Sequence, residues 1–106
     1  MNDVLQFLGI AARSGNVISG EDACVRSIRE GKVRLMIQAA DAGSNGAKKI
    51  RDKCAFYGVP LITCFMRQEL GHAIGKPARS AVGVTSLQLA TTIQRMFLDH
   101  NGGDSI

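Results

Sequence analysis

Two acidic residues stand at the start of a predicted helix in a chain that is otherwise basic. Glu21 and Asp22 follow Gly20, and Arg26 lies one turn further along. A carboxylate in the first turn stabilises the positive end of the helix dipole, by about 0.3–1 kcal/mol. A carboxylate can also accept hydrogen bonds from a nucleobase edge, as Asp and Glu do from cytosine, and a guanine edge offers equally good donors. The first role is structural and the second is recognition, and at this point both stay open.

Phosphate is not the group that we expect this helix start to face. Two carboxylates repel a phosphate more strongly than the roughly half charge of the dipole attracts it. We therefore predict that the helix start faces bases and that phosphates lie along basic side chains nearby. The candidates for these phosphate contacts are Arg26, Lys76 and Arg79, with Arg13 as a fourth.

The basic residues of the chain are clustered. The formal net charge is +4, and eight of the 13 Lys and Arg residues lie between positions 26 and 53. A clustered excess on a small domain is typical of a protein that binds a polyanion, and the alternative is a solvated basic face. For the four cations of the third predicted helix, two roles stay open: solubility or long-range attraction, and a second contact to RNA or a protein. These four are Lys48, Lys49, Arg51 and Lys53.

Patterns typical of enzymes are missing. The stretch GHAIGKP (71–77) resembles a phosphate-binding P-loop, but it has three residues between its glycines instead of four. Pro77 also stands where the metal-binding Ser or Thr belongs. Asp41 follows a predicted strand, where α/β enzymes often place an acid, although a loop-capping role is preferred. We predict a non-catalytic protein that binds no metal and no cofactor.

The cysteines and the uncharged stretches indicate a compartment. Cys24, Cys54 and Cys64 lack CxxC spacing, and we interpret them as reduced, mostly buried thiols. The longest uncharged stretch, 54–66, is too short to span a bilayer. Asp3 precedes the first apolar run without a basic leader, which argues against a secretory signal. We expect a monomeric, cytoplasmic protein with no membrane partner.

Helices alternating with strands must position these residues. Hydrophobic spacing predicts helices over residues 2–14, 21–30, 45–57, 67–74 and from 87 onward, and strands over 17–19, 34–40, 59–65 and 81–85. This order predicts an α/β fold, a three-layer α/β/α sandwich with a small mixed four-stranded sheet. The unit from 34 to 65 predicts a right-handed parallel crossover. We expect one domain over residues 1–100 and a flexible tail over 101–106.

The aromatic residues distinguish between two kinds of nucleic-acid binding. Proteins that bind single strands stack bases on exposed rings. This chain has no Trp, one Tyr and four Phe, and all five lie in or next to apolar runs assigned to the core. Tyr57, for example, is predicted to be buried beside Ile50 and Cys54. This distribution argues against an open stacking sheet and favours recognition of a folded or double-stranded shape.

Three segments in a fixed order give the chain a family resemblance. They are LGIAARSG (8–15), SGEDACVRSIREGK (19–32) and LGHAIGK (70–76). Over residues 4–98 the chain resembles the ribosomal protein L7Ae family of kink-turn RNA-binding proteins. It is most similar to small bacterial members that are ribosomal-protein-like but lie outside the standard ribosome set.

The resemblance implies an RNA site at the second helix. In that family the amino end of this helix enters the widened groove of a sharply bent RNA helix built on sheared G·A pairs. Gly20 then matches a glycine that permits close approach, and the loop 76–80 resembles one that closes over looped-out nucleotides. The RNA-binding residues expected on this basis are Asn16, Ser19, Gly20, Glu21, Asp22, Arg26, Lys76, Pro77, Ala78 and Arg79.

The chain departs from the family pattern at two positions. Asp22 replaces an asparagine and so lacks a donor, and Ala23 replaces a glutamate that reads a base. Arg26 falls on a lysine of the pattern. Three functions therefore stay open. The preferred one is recognition of structured RNA of kink-turn type, associated with the ribosome or translation. The alternatives are a protein–protein adaptor that has lost RNA readout and an accessory of RNA modification.

Overall fold

The structure is a computed structural model that describes residues 2–104, with side-chain environments for residues 3–99. Within these residues five helices alternate with four strands. In chain order they are α1 Asn2–Arg13, β1 Val17–Ser19, α2 Glu21–Arg29, β2 Leu35–Gln38, α3 Ser44–Tyr57, β3 Leu61–Thr63, α4 Arg67–Ala73, β4 Ala81–Val84 and α5 Leu87–Asp104.

The four strands form one mixed sheet in the order β1-β4-β2-β3. Strand β4 pairs antiparallel with both β1 and β2, while β2 and β3 are parallel. The parallel pair confirms the parallel arrangement of strands predicted for the unit between residues 34 and 65. Strand β2 is buried at all four positions, as expected for a strand that is covered on both faces.

Helices cover both faces of the sheet and divide the core in two. On one face, α1, α4 and α5 pack on alternate β2 residues, with Leu8, Leu70 and Ile93 fully buried. On the other face, α2 and α3 pack on Met36 through a second cluster that includes Ile28. The predicted three-layer α/β/α sandwich is therefore confirmed. No helix within residues 2–104 is long and apolar enough to cross a membrane.

Two elements differ in extent from their sequence patterns. Strand β3 covers only Leu61–Thr63 and is half-exposed, because it lies at an edge of the sheet instead of in its middle. Helix α5 continues to Asp104, so it includes residues 101–104 of the expected tail, and residues 105 and 106 lie outside the described part. At its start, the Leu89 N–H donates to Ser86 Oγ at 3.2 Å, so Ser86 caps this helix.

The aromatic residues of α3 are not where the apolar pattern placed them. Tyr57 is 44% exposed and Phe56 is 80% exposed, so the prediction of a buried Tyr57 is wrong. The helix buries Ile50 and Cys54, but the next position at helical spacing, Tyr57, is its last residue before the C-cap Gly58 and stays exposed.

The cysteines are free thiols, two of them in the core. Burial raises the pKa of Cys24 to about 12 and the pKa of Cys54 to about 11. Both thiols are therefore neutral at physiological pH, because the charged form loses its solvation in the core. Cys64 is half-buried. This arrangement agrees with the interpretation of mostly buried thiols.

Candidate nucleic-acid interface

The end of β1 and the loop before β4 meet at one edge of the sheet. Antiparallel pairing places Ser19 opposite Val82, so the start of α2 lies beside the start of β4. The Gly20 N–H donates to the Ala81 carbonyl at 3.1 Å. Arg79 Nε donates to Ser19 Oγ, also at 3.1 Å. Segments sixty residues apart in the chain are thereby joined into one surface.

Arg79 is held in place from its backbone as well. Its N–H donates to the Arg67 carbonyl at 3.0 Å, and its Nη1 donates to the carbonyls of Pro77 and Ala78. The Arg67 N–H in turn donates to Asp41 Oδ1 at 2.8 Å. That backbone hydrogen bond lowers the pKa of the Asp41 carboxyl below its usual value of 3.8. Asp41 is thus a cap at the start of α4, which confirms the capping role preferred from the sequence.

The LGHAIGK motif has a packing explanation at this loop. A Cβ added at Gly71 would collide with the Pro77 carbonyl, so only glycine lets the loop lie directly against α4. The Lys76 N–H donates to the Gly71 carbonyl at 2.8 Å. Glycine at this position therefore sets the path of the loop from Lys76 to Ser80.

Gly20 is required by its backbone conformation. Its φ of 96° and ψ of 149° lie close to a region of backbone angles that essentially only glycine occupies. A Cβ at this position would meet nothing within 4 Å, so the protein itself does not crowd the site. The start of α2 is consequently open to close approach from outside.

The two acids at the start of α2 have different environments. Glu21 turns toward α3: its Oε1 lies 3.4 Å from Lys49 Nζ, and its Oε2 lies over Gly46 in the first turn of α3. Helix α3 has no acidic residue in its own first turn and no side-chain cap. The Glu21 carboxylate therefore supplies the negative charge that stabilises the start of α3.

Asp22 and Arg26 are exposed and are not paired with each other. They stand at i,i+4 spacing, which favours an ion pair, but the ion pairs found among the described side chains do not include one between them. Lys76 is also exposed, on the neighbouring loop. Of the two acids, only Asp22 is therefore free to contact a partner.

Asn16 lies apart from the other candidates, at the opposite end of β1. Its Nδ2 donates to Ser14 Oγ at 2.8 Å, and its carbonyl accepts from the Thr85 N–H at 2.9 Å. Three strand residues separate it from Gly20, which corresponds to about 13 Å along an extended chain. The structure thus brings together Ser19, Gly20 and the loop 76–79, but it does not add Asn16 to them.

Sequence reasoning missed two residues that support the site. Arg67 links Asp41 to Arg79 through its backbone, and no side-chain pattern signals such a role. Lys49 holds Glu21, although its spacing placed it in a general basic cluster. A search for acids without an i,i+4 partner on their own helix would have singled out Glu21 as a candidate for such a contact.

Sequence comparison places the chain among known proteins. A model of the ribosomal protein L7Ae/L30e/S12e/Gadd45 family matches residues 2–92. The chain is 43% identical over 87 residues to RNA-binding protein YlxQ of Bacillus subtilis, which covers 82% of this chain and 87% of the relative. It is 36% identical over 75 residues to RNA-binding protein YlxQ of Enterococcus faecium, covering 71% and 73%.

Two solved structures have the same fold. A protein of unknown function from Bacillus halodurans matches with a TM-score of 0.84 and 37% identity, over 87% of this chain and 93% of that one. The 15.5kD RNA binding protein of Giardia lamblia matches with a TM-score of 0.72 and 21% identity, over 84% and 79%. The second likeness concerns the fold alone.

Proposed function

The chain belongs to the ribosomal protein L7Ae/L30e/S12e/Gadd45 family, and from this membership we propose that it is a non-catalytic protein that binds structured RNA. In this proposal the RNA is a sharply bent helix of kink-turn type. The start of α2 enters its widened groove, and the loop 76–80 closes over the nucleotides that leave the helix at the bend.

The observation that supports this proposal most directly is the hydrogen bond between Arg79 and Ser19. It fixes the loop beside the start of α2, so that one rigid surface presents both elements. A preorganised surface loses less conformational entropy when a ligand binds. The names of the two YlxQ relatives, RNA-binding proteins at 43% and 36% identity, support the same class of partner.

The environments of the side chains assign roles within this surface. Asp22 accepts hydrogen bonds from the N1–H and N2–H₂ of a guanine exposed in a sheared pair. Arg26 and Lys76, which are exposed, contact phosphates on either side. Glu21 stays with Lys49 and α3, so its part is structural. Gly20 leaves room for the RNA backbone.

A binding titration with two RNAs tests the proposal. One RNA contains a kink-turn with consecutive G·A pairs, and the control has those pairs replaced by Watson–Crick pairs. We expect tighter binding to the kink-turn, measured by calorimetry at fixed salt. Equal and weak binding to both RNAs would contradict the proposal, since only non-specific attraction would remain, and it would favour the protein adaptor.

Two variants examine the assigned roles. Arg26→Ala should weaken kink-turn binding and reduce the slope of log K against log salt by about 0.9, the value for one phosphate contact. An unchanged slope would remove Arg26 from the phosphate contacts. Asp22→Asn replaces one of the two acceptor oxygens by a donor, so we expect weaker kink-turn binding. Tighter binding would instead support the asparagine contact of the family pattern.

The proposal also covers the compartment, the oligomeric state and the class of RNA target. We expect a cytoplasmic protein that binds its RNA as a monomer and has ribosomal RNA as its target class, in line with the ribosomal proteins of its family. Sucrose-gradient sedimentation of a cell lysate checks the target. We expect the protein in the ribosomal fractions and its release at high salt. Migration only at the top of a low-salt gradient would contradict ribosome association.

A further inference from the structure

A basic groove of about 430 Å³ lies between α2 and α3. Four cationic side chains and one carboxylate line it, with Val25 at its base. The charged residues are Arg29, Lys48, Lys49, Lys53 and Asp52. This excess of positive charge in a concave surface favours an anionic ligand.

The cations of the groove are available to such a ligand. Arg29 and Lys53 form none of the ion pairs found among the described side chains. Lys48 pairs with Asp52 at 2.8 Å, but both side chains are more than half exposed. Lys49 pairs with Glu21 and is also half exposed. Exposed pairs of this kind contribute little stability, so a phosphate can bind Lys48 and Lys49 at low cost while their carboxylate partners stay in place.

An exposed aromatic pair lies on α3 about one turn beyond the groove residues Asp52 and Lys53. Asn45, Lys49 and Asp52 line the groove, and Phe56 continues their spacing of four, three and four residues, which places it on the same stripe of α3. Its side chain is 80% exposed. The Tyr57 ring lies 4.9 Å away, at 74° to it. Two exposed rings therefore lie on α3 just beyond the basic side chains.

We propose that this groove and Phe56 bind a single-stranded segment of RNA, with phosphates along the basic side chains and a base stacked on the Phe56 ring. A positive groove combined with exposed rings is the combination by which proteins bind single strands. The proposal rests on the proposed function only in taking RNA as the ligand. The site lies between α2 and α3, apart from the surface formed by Gly20, Asp22 and the loop 76–80.

The single tyrosine provides a specific readout. The chain has one Tyr and no Trp, so its intrinsic fluorescence reports on Tyr57, which contacts Phe56. The full chain is titrated at low salt with a uridine oligonucleotide of about eight nucleotides, and free tyrosine amide corrects for absorption by the RNA. We expect saturable quenching. Phe56→Ala should weaken the binding about 5- to 100-fold, as the loss of one base–aromatic stack predicts.

Charge variants distinguish binding in the groove from non-specific electrostatic attraction of the oligonucleotide. Arg29→Ala with Lys53→Ala should reduce the salt slope by about 1.4, the value for two phosphates of a single strand. Arg51→Ala is the matched control: Arg51 lies on the same helix and is exposed, but it does not line the groove. This variant should bind the oligonucleotide nearly as well as the parent. Circular dichroism checks that all variants are folded.

The outcomes distinguish this site from the one at the start of α2. Arg26→Ala should leave the quenching unchanged, because Arg26 belongs to the other site. The quenching should also be observed if the protein shows no preference for kink-turn RNA. No quenching of the parent protein would overturn the inference and leave this face to a protein partner. Quenching that survives Phe56→Ala, or that Arg51→Ala reduces as much as the groove variants do, would also overturn it. If inorganic polyphosphate bound the groove as well as the oligonucleotide does, base stacking on Phe56 would be excluded as a contribution to binding.

Discussion

The starts of α2 and α3 are built alike but are completed differently. Each helix follows a glycine, Gly20 or Gly43, and neither has a side-chain cap hydrogen bond. The start of α3 is covered by the carboxylate of Glu21, which belongs to the other helix. The start of α2 receives no such cover from the described side chains and leaves Asp22 exposed. One helix start is satisfied within the fold, and the other is available to a partner.

This difference shows that two neighbouring acids can serve separate purposes. Successive side chains on a helix point about 100° apart, so Glu21 can reach α3 while Asp22 points elsewhere. The sequence left two roles open for these acids, stabilisation of a helix start and hydrogen bonding to a base. In the structure each role fits one of the two residues. Glu21 is the structural acid, although it stabilises α3 more than its own helix, and Asp22 is the candidate for base recognition.

The largest difference in stability is expected between alanine variants at Gly20 and at Gly43. Gly20→Ala must adopt a φ of 96°, at a cost of about 1–3 kcal/mol in the free energy of unfolding. Gly43→Ala keeps a φ of −60° with no atom near its Cβ. The entropy gain of about 0.4–1 kcal/mol is offset by the poorer N-cap preference of alanine, so we expect little net change. Urea unfolding of both variants measures the difference. Equal stabilities would show that Gly20 is not held by its backbone conformation.

The acids themselves should separate binding from stability. Asp22→Ala should reduce the preference for kink-turn RNA over the Watson–Crick control by about 1–3 kcal/mol, the value of one good base contact. Glu21→Ala should keep that preference and destabilise the fold by about 0.3–1 kcal/mol, since the start of α3 loses its anion. Calorimetry and urea unfolding measure the two effects. The reverse assignment would follow if Glu21→Ala reduced the preference and Asp22→Ala did not.

The sequence predicts the architecture well because periodicity is a local property. The buried run at Leu35–Gln38 predicts a central strand, and the family motifs identify the fold. Contacts between distant segments are not encoded in that way: the hydrogen bond from Arg79 to Ser19 depends on the register of β1 and β4. Phe56 and Tyr57 illustrate the same limit, because the apolar pattern does not show whether another element covers a residue.

A smaller effect is expected at Gly46, which contacts the Glu21 carboxylate. Gly46→Ala gains up to about 1 kcal/mol of helix propensity, but its Cβ displaces the carboxylate from α3. In the Glu21→Ala background nothing is displaced, so the substitution should stabilise the fold more than it does in the parent. A double-mutant cycle by urea unfolding measures the coupling. Additive effects would show that the carboxylate does not lie over the start of α3.

The smallest effect concerns a third helix start, that of α4, which Asp41 completes from another segment as Glu21 does for α3. The Arg67 N–H lowers the pKa of the Asp41 carboxyl in the folded chain. A lowered pKa adds stability above the unfolded value, and this contribution is lost as the pH falls through the folded value. Asp41→Asn cannot titrate, so its urea midpoint should fall less than that of the parent below about pH 4. Parallel midpoints across that range would show that the Asp41 charge does not support the α4 start, and would leave the Arg67–Arg79 contact to hold the loop without it.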